Sequence, residues 1–290
     1  MKNQIPESEL ILNPDGSIYH LHLLPEDVAD TIIFVGDQDR VPQVSKHFDR
    51  IEVKKQKREF VTHTGYIGSK RLSVISTGIG TDNIDIVLNE LDALVNVNLD
   101  TRTVKEKLTS LDIIRIGTSG ALQEDVLVDS VLISSHGLGL DGLMQFYDYE
   151  ETDEIAGLLT EMDEQLGLVF VNPYLFKAGE GLFNKFVPHY AHGITATCCG
   201  FYGPQGRMLR AERKYDNLID KLNGIAAQGK RITNFEMETA GIYGMASLLG
   251  HGAISVNAIL ANRINHTFSR NPEAIVETAI KQVLEILTKA

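Results

Sequence analysis

An aromatic ring, an amide and a guanidinium fall together in Phe201-Tyr202-Gly203-Pro204-Gln205-Gly206-Arg207. An amide offers a donor and an acceptor side by side, and a guanidinium offers several donors. A flat heterocycle with adjacent N–H and C=O groups needs that set for its edge and a ring to lie against. Uracil is such a heterocycle. The same residues in a surface loop would simply face water.

Two charged positions stand out elsewhere. Arg115 sits inside the apolar run Ile113-Ile114-Arg115-Ile116, where a charge is costly unless it is paired. It would either bridge to a core carboxylate or hold an anion at the edge of a sheet. Glu236 and Glu238, in Asn234-Phe235-Glu236-Met237-Glu238-Thr239, stand where a helix begins. Acids there are favoured by the helix dipole. Glu238 also lies among apolar and small residues, and a vicinal diol would give its carboxylate two donors.

Three apolar runs end in small residues that expose backbone N–H groups: Gly36-Asp37-Gln38-Asp39-Arg40, Gly78-Ile79-Gly80-Thr81 and Gly117-Thr118-Ser119-Gly120. Open α/β sheets bind ligands beyond the carboxyl ends of their strands. Backbone N–H groups, guanidinium and hydroxyl together suit an oxyanion. For Gly78 and Gly80 a tight turn is explanation enough. None of the three matches a P-loop or a G-x-G-x-x-G dinucleotide fingerprint.

The elements that must position these groups alternate along the chain. Buried strands are predicted over Thr31 to Gly36, Arg71 to Thr77, Leu111 to Gly117 and Ala253 to Leu260. A helix capped by Asp82 carries Ile86, Val87, Leu91, Leu94 and Val95. A second runs from Glu236 to Leu249, with Gly250 as its stop signal. Asn271-Pro272 opens a last helix with the face Ile275, Val276, Ala279, Ile280, Val283, Leu284 and Leu287. Val61 to Tyr66, Gly68-Ser69 and Leu72 to Ile75 read as an antiparallel hairpin. Thr101 to Ser110 reads as a loop. The pattern is α/β with a mixed sheet. With no linker or repeat, residues 1–290 are expected to form one domain, 1–28 leading into the first core strand.

Composition narrows the function classes. The chain has 290 residues, 43% of them hydrophobic, enough for a substantial core. A formal net charge of −12 argues against a nucleic-acid partner, which demands a basic face. It leaves room for a small anion held by a few arginines. Cys198 and Cys199 are adjacent, a strained geometry for a disulfide, so two reduced thiols in a cytoplasmic protein are expected. No Cys/His spacing suggests a zinc site. The polar N-terminus is no signal peptide, and no apolar run approaches a membrane span.

Together the motifs resemble the nucleoside phosphorylase family, in its uridine phosphorylase branch. They are Gly-Asp-x-Asp-Arg-Val at 36–41, Arg58-Glu59-Phe60, Ser76-Thr77-Gly78-Ile79-Gly80, Arg115 to Gly120, Phe201 to Arg207, and Glu236-Met237-Glu238. The resemblance runs from about His20 to the C-terminal helix. It implies a three-layer αβα fold with a central mixed β-sheet. It implies phosphorolysis of uridine, with deoxyuridine or thymidine as further candidates, to a free base and a pentose 1-phosphate. Gly36, Arg40, Arg115 and Thr118 would hold phosphate, completed by Arg58 from a neighbouring subunit. Glu238 and Met237 would bind the ribose hydroxyls. His20, or His22, would approach the 5′-hydroxyl across the subunit boundary. Phe201 would pack on the base while Gln205 and Arg207 read its edge. Arg115, Glu238 and Arg207 would carry catalysis.

The resemblance further implies a homodimer or a hexamer built from dimers, with no cofactor and phosphate as co-substrate. Purine-specific members carry a Ser-Asp pair where this chain has Asn262-Arg263. Some relatives bind potassium through a Glu matching Glu59 and a serine. That serine is Asn83 here, a departure from the pattern. Tyr147 to Glu164 and Val169 to Pro188 also fit the family poorly. Purine or broad specificity, a hydrolase using water, and a non-catalytic nucleoside binder are the rival readings. A hydrolase or a binder has no need of Arg40, Arg58 and Arg115 together.

Overall fold

The computed structural model describes residues 4–169 and 171–289. Its first half runs β1 (Thr31–Val35), α1 (Arg40–Ser45), β2 (Arg50–Lys57), β3 (Phe60–Ile67), β4 (Lys70–Ser76), α2 (Thr81–Asn96), β5 (Val97–Asn98), β6 (Thr103–Val104), β7 (Asp112–Ala121) and β8 (Val131–Gly139). The second half adds α3 (Asp153–Leu166), β9 (Tyr174–Lys177), α4 (Glu180–Phe186), β10 (Ala191–Thr197), α5 (Leu218–Gly224), β11 (Ala226–Ala227), β12 (Lys230–Glu236), α6 (Thr239–Leu249), β13 (Gly252–Asn262), β14 (Thr267–Phe268) and α7 (Pro272–Thr288).

The main sheet is mixed, in the order β11-β12-β10-β8-β13-β7-β1-β4-β3-β2. β1 is buried throughout because it pairs in parallel with β4 and β7. Its side chains alternate between two cores, as a pleated strand requires. Ile32 and Phe34 face a cluster containing Ile84, Leu88 and Leu91 of α2 and Ile242 of α6. Ile33 and Val35 face a cluster with Val41 and Val44 of α1, Phe186 of α4 and Ile280 and Val283 of α7. Helices thus cover both faces, giving three layers. Leu10, Ile18, Leu21 and Leu23 extend the first cluster. A third cluster joins α3 and α5 to Ile194, Ile232 and Phe235. β12 pairs with β10 and also, antiparallel, with β7. The strands β7, β13, β8, β10 and β12 therefore close into a ring.

The expected hairpin is β3–β4, antiparallel. All the apolar positions expected on the last helix are buried, and the Asn271 side chain caps it by accepting from Ala274 N. Gly250 ends α6 in the left-handed region, as the stop signal requires. Three expectations need correction. Glu236 is not in a helix. It ends β12, and α6 begins at Thr239, because the Glu236 carboxylate accepts the N–H groups of Glu238 and Thr239 and so turns the chain. Asp82 lies inside the first turn of α2, which starts after Gly80. The expected loop at 101–110 also contains β6, paired with β5. The acidic and apolar stretch from 147 to 188 supplies α3, β9 and α4, Phe170 lying outside the described residues.

Candidate active site

Arg115 leaves β7 between β1 and β13 and is only 6% exposed. Its Nη2 lies 2.8 Å from Glu236 Oε2 and 2.6 Å from Glu238 Oε2. Its Nη1 donates to Asn257 Oδ1 at 3.3 Å and Ser255 Oγ at 3.4 Å, both on β13. Of the two alternatives open for this residue, the pairing with core carboxylates is met, and β7 runs on past Gly117 to Ala121, so the small residues after Arg115 belong to the strand instead of ending it. Burial disfavours the guanidinium charge, but the two carboxylates outweigh it and hold the pKa up. The guanidinium lies over Gly117, two residues on along the same face. A Cβ on Gly117 would come 1.9 Å from Arg115 Nη1. Glycine here makes room for the arginine, a purpose distinct from turning the chain.

The carboxylates are held as firmly. Glu238 Oε1 accepts the Gly80 N–H at 2.8 Å, with Gly80 at φ +97, in a region open to glycine. Glu236 Oε1 accepts the Thr197 hydroxyl at 2.8 Å, and Thr197 Oγ1 accepts the N–H of Ala240. Burial, then the neighbouring Glu236 charge, raise the Glu238 pKa against the pull of Arg115 and Gly80. Two carboxylates share one guanidinium, so the cluster retains room for a further cation or donor.

Arg40, the first residue of α1, supplies one. Burial and the Arg115 charge lower its pKa, while Asp37 and Glu238 raise it. Its Nη1 reaches the Ile116 carbonyl at 3.5 Å. Gly36 lies at the end of β1 and packs near the Gly78 carbonyl. Thr118 sits half-buried on β7, and Met237 half-buried between the two glutamates.

The second half of the site is the 201–207 loop. Arg207 lies with its Cζ 3.7 Å over the Phe201 ring, and its Nη1 donates to Phe201 O at 2.8 Å and Gln205 Oε1 at 2.6 Å. Gln205 is buried, its Nε2 3.5 Å from the Glu236 carbonyl. The Gln205 carbonyl accepts from Arg263 Nη1 at 2.9 Å. Arg207 and Arg263 both face the Phe235 ring. Burial and the Arg263 charge push the Arg207 guanidinium down to about 10. A cation so disfavoured gains from an anion placed beside it.

His20 and Arg58 stand outside this cluster. His20 is held by Glu90 of α2, which lies 2.7 Å from its Nδ1, and meets the Phe60 ring edge-on. His22 has its Nε2 3.0 Å from exposed Asp15 Oδ2. Arg58 is exposed in the β2–β3 turn at φ +55. Glu59 and Asn83 both flank Gly78, where a Cβ would come within 3.2 Å of Glu59 Cγ and 2.2 Å of Asn83 Nδ2. Among the described residues no three His, Cys, Asp or Glu side chains gather as metal ligands. Cys198 is buried and Cys199 exposed, both as free thiols. Burial drives the Cys198 thiol far above its usual range, leaving it protonated and inert.

The sequence reading missed the part played by Glu236, Thr197, Ser255 and Asn257. The last three lie in apolar strands, and only their polarity at buried positions marks them. Glu236 was legible as a helix-start acid, but its grip on Arg115 depends on β12 and β7 closing the ring.

The family described as the phosphorylase superfamily matches residues 30–290. The chain is 31% identical over 280 residues to a uridine phosphorylase of Thermococcus kodakarensis, spanning 95% of this chain and 88% of that one. It is 28% identical over 285 residues to a uridine phosphorylase of Haemophilus influenzae, spanning 95% and 98%. Among solved structures, a Trypanosoma brucei nucleoside phosphorylase described as showing uridine phosphorylase activity superposes with a TM-score of 0.90 at 28% identity, covering 97% of this chain and all of that one. With the arginine-carboxylate cluster at the strand ends and the amide-guanidinium loop beside it, these likenesses place the chain in the nucleoside phosphorylase family, within the phosphorylase superfamily, on its uridine phosphorylase branch.

Proposed function

We propose that this chain cleaves uridine with inorganic phosphate, giving uracil and ribose 1-phosphate. The observation that carries this reading is the joining of two kinds of subsite through one residue. Glu236 grips Arg115 with its carboxylate and meets Gln205 with its carbonyl. An anion-binding half and a base-reading half are thereby held in register.

Breaking the glycosidic bond puts positive charge on the ribose and negative charge on the departing base, and both must be stabilised in the transition state. Gly36, Arg40, Arg115 and Thr118 hold phosphate at the strand ends. There it serves as nucleophile and as counter-charge to the sugar. Glu238, beside Met237, accepts from the ribose hydroxyls and fixes the ring. Phe201 packs on uracil. Gln205 and Arg207 donate to its carbonyl oxygens as charge builds, which is electrostatic stabilisation of the leaving group. Arg58 and His20, outside the cluster of their own chain, enter the site of a second copy. The active unit is then a homodimer or an assembly of dimers, working in pyrimidine salvage in the cytoplasm.

The test is uracil release from uridine with and without phosphate. Release only with phosphate is expected. Equal rates in both would indicate a hydrolase, and no release a binder or another base. Thymidine, deoxyuridine, cytidine and inosine in the same assay define the base and sugar preference.

A further inference from the structure

Gln205 and Arg207 are joined through a glycine. Gly206 is buried at φ +65, in the left-handed region, and a Cβ there would come 2.9 Å from the Ile219 side chain of α5. Glycine takes up several backbone conformations with little preference. A turn built on it keeps one geometry only if the peptide units on either side are held from outside.

Both units are held at each end. In the unit joining Gln205 to Gly206, the N–H donates to the Gly203 carbonyl at 3.0 Å, and the carbonyl accepts from Arg263 Nη1 at 2.9 Å. In the unit joining Gly206 to Arg207, the N–H donates to the Tyr202 carbonyl at 2.8 Å, and the carbonyl accepts from Arg213 Nη1 at 2.7 Å. The N–H bonds are made within the turn itself. The carbonyl bonds come from two guanidiniums of other segments. Among the described residues no backbone N–H donates to the Gly206 carbonyl in place of Arg213.

Arg213 lies between the loop and α5, in a stretch anchored where Tyr215 and Ile219 pack on the third cluster. Its Nη2 is 3.5 Å from Asp216 Oδ1, and its side chain is 24% exposed. Its Nε is buried with no hydrogen-bond partner. A buried donor without a partner is costly, so contact with water does not explain the inward course of this side chain. Arg210, three residues earlier, is exposed.

The Gly206–Arg207 unit matters because Arg207 leaves the backbone at its far end. The stacking of Arg207 on Phe201 at 3.7 Å and its bond to Gln205 Oε1 at 2.6 Å both start from that peptide plane. If the plane turns, the guanidinium is carried away from both.

We infer that Arg213 is a positioning residue for base recognition: by holding the Gly206 carbonyl, it fixes the peptide plane from which Arg207 reaches the departing base. The inference rests on the proposed reading of Gln205 and Arg207 as the pair that meets the base. Arg213 acts through Arg207 and not on the base itself.

The test is steady-state uridine phosphorolysis by the parent chain, Arg213→Ala, Arg207→Ala and the double variant. Arg213→Ala alone should lower kcat about tenfold or more, with a smaller change in KM, because a transition-state donor displaced by about 1 Å loses that much. In the Arg207→Ala background the same change should lower kcat by less than about twofold, since residues acting through one group are not additive. A general loosening of the fold would instead lower activity equally in both backgrounds. Arg213→Lys keeps the charge but not the planar fork, so its kcat should fall between those of the parent and Arg213→Ala. It carries the same comparison if thermal unfolding shows that Arg213→Ala does not fold. Arg210→Ala removes an equal charge from the same segment and should keep parental kinetics. Parental kinetics in Arg213→Ala, or an equal fold-loss with and without Arg207, would overturn the inference while leaving the base-reading pair in place. Parental uridine kinetics in Arg207→Ala would remove that pair, and this inference with it.

Discussion

The Glu236 carboxylate lies 2.8 Å from the Arg115 guanidinium, and both side chains are more than nine-tenths buried. With Glu238 on the same nitrogen, the arginine is triangulated before any ligand arrives. An arginine held in this way would need no rearrangement to meet the proposed phosphate, which is the preorganisation on which electrostatic catalysis depends.

Replacing Glu236 by Gln keeps its shape and removes its charge. Breaking a buried pair in this way costs about 3 kcal/mol of stability. Denaturant unfolding should show that loss, and kcat/KM for phosphate should fall with it. A variant as stable as the parent to within about 0.5 kcal/mol would mean that Glu238 alone satisfies Arg115.

Gly117→Ala tests the space rather than the charge. A Cβ cannot occupy a point 1.9 Å from Arg115 Nη1, so the guanidinium must move. Overpacking of this kind costs about 1–3 kcal/mol. Activity should fall on the order of a hundredfold, because misplacement by about 1 Å is enough for that. Full activity in a folded Gly117→Ala chain would show that Arg115 can serve from another rotamer.

Arg207→Ala removes the donor proposed to face the departing base. A loss of roughly a hundredfold or more in kcat for uridine is expected, with a smaller change in KM, because the anionic leaving group needs the guanidinium more than neutral uridine does. Unchanged uridine kinetics, or inosine as the best substrate of the parent protein, would remove the pyrimidine assignment.

Arg58→Ala and Glu238→Ala chains, each inactive alone, should regain activity when mixed and exchanged. A shared-site dimer then contains one site built from two intact contributions. No recovery despite demonstrated subunit exchange would confine Arg58 to its own subunit.

His136 gives a stability signature. Burial pushes its folded pKa down to about 4, below its ordinary value of 6.5. The unfolded chain therefore takes up a proton first as pH falls. The stability is fully present above pH 6.5 and is lost as pH drops from there towards 4, by roughly 3 kcal/mol in all. His136→Phe should flatten the unfolding free energy over that window, and an unchanged slope would assign the loss to other groups.

The chain announced its fold through patterns that are local. The apolar runs at 31–36 and 111–117 became adjacent parallel strands, and the spacing from Ile275 to Leu287 became the buried face of α7. Arg115 announced itself by being charged in an apolar strand. What was not legible depends on pairing across long separations. Nothing local in Lys54 to Lys57 says that it alternates against β3. Nothing near residue 236 names Arg115 as its partner, because that contact exists only when β12 crosses to β7. His136 was silent for the same reason, since an isolated histidine in a strand becomes notable only when its neighbours leave one nitrogen unanswered.

The closed ring of β7, β13, β8, β10 and β12 also limits how this protein can breathe. An open sheet can flex along its twist, and a two-lobed enzyme can gape about a linker. A ring laced by ladder bonds does neither without breaking them. Arg115 on one arc and Glu236 on another are thus tied by strand ladders as well as by their own ion pair. The 201–207 loop lies outside the ring, so any opening of the proposed base subsite would begin there, with Arg207 lifting from the Phe201 ring.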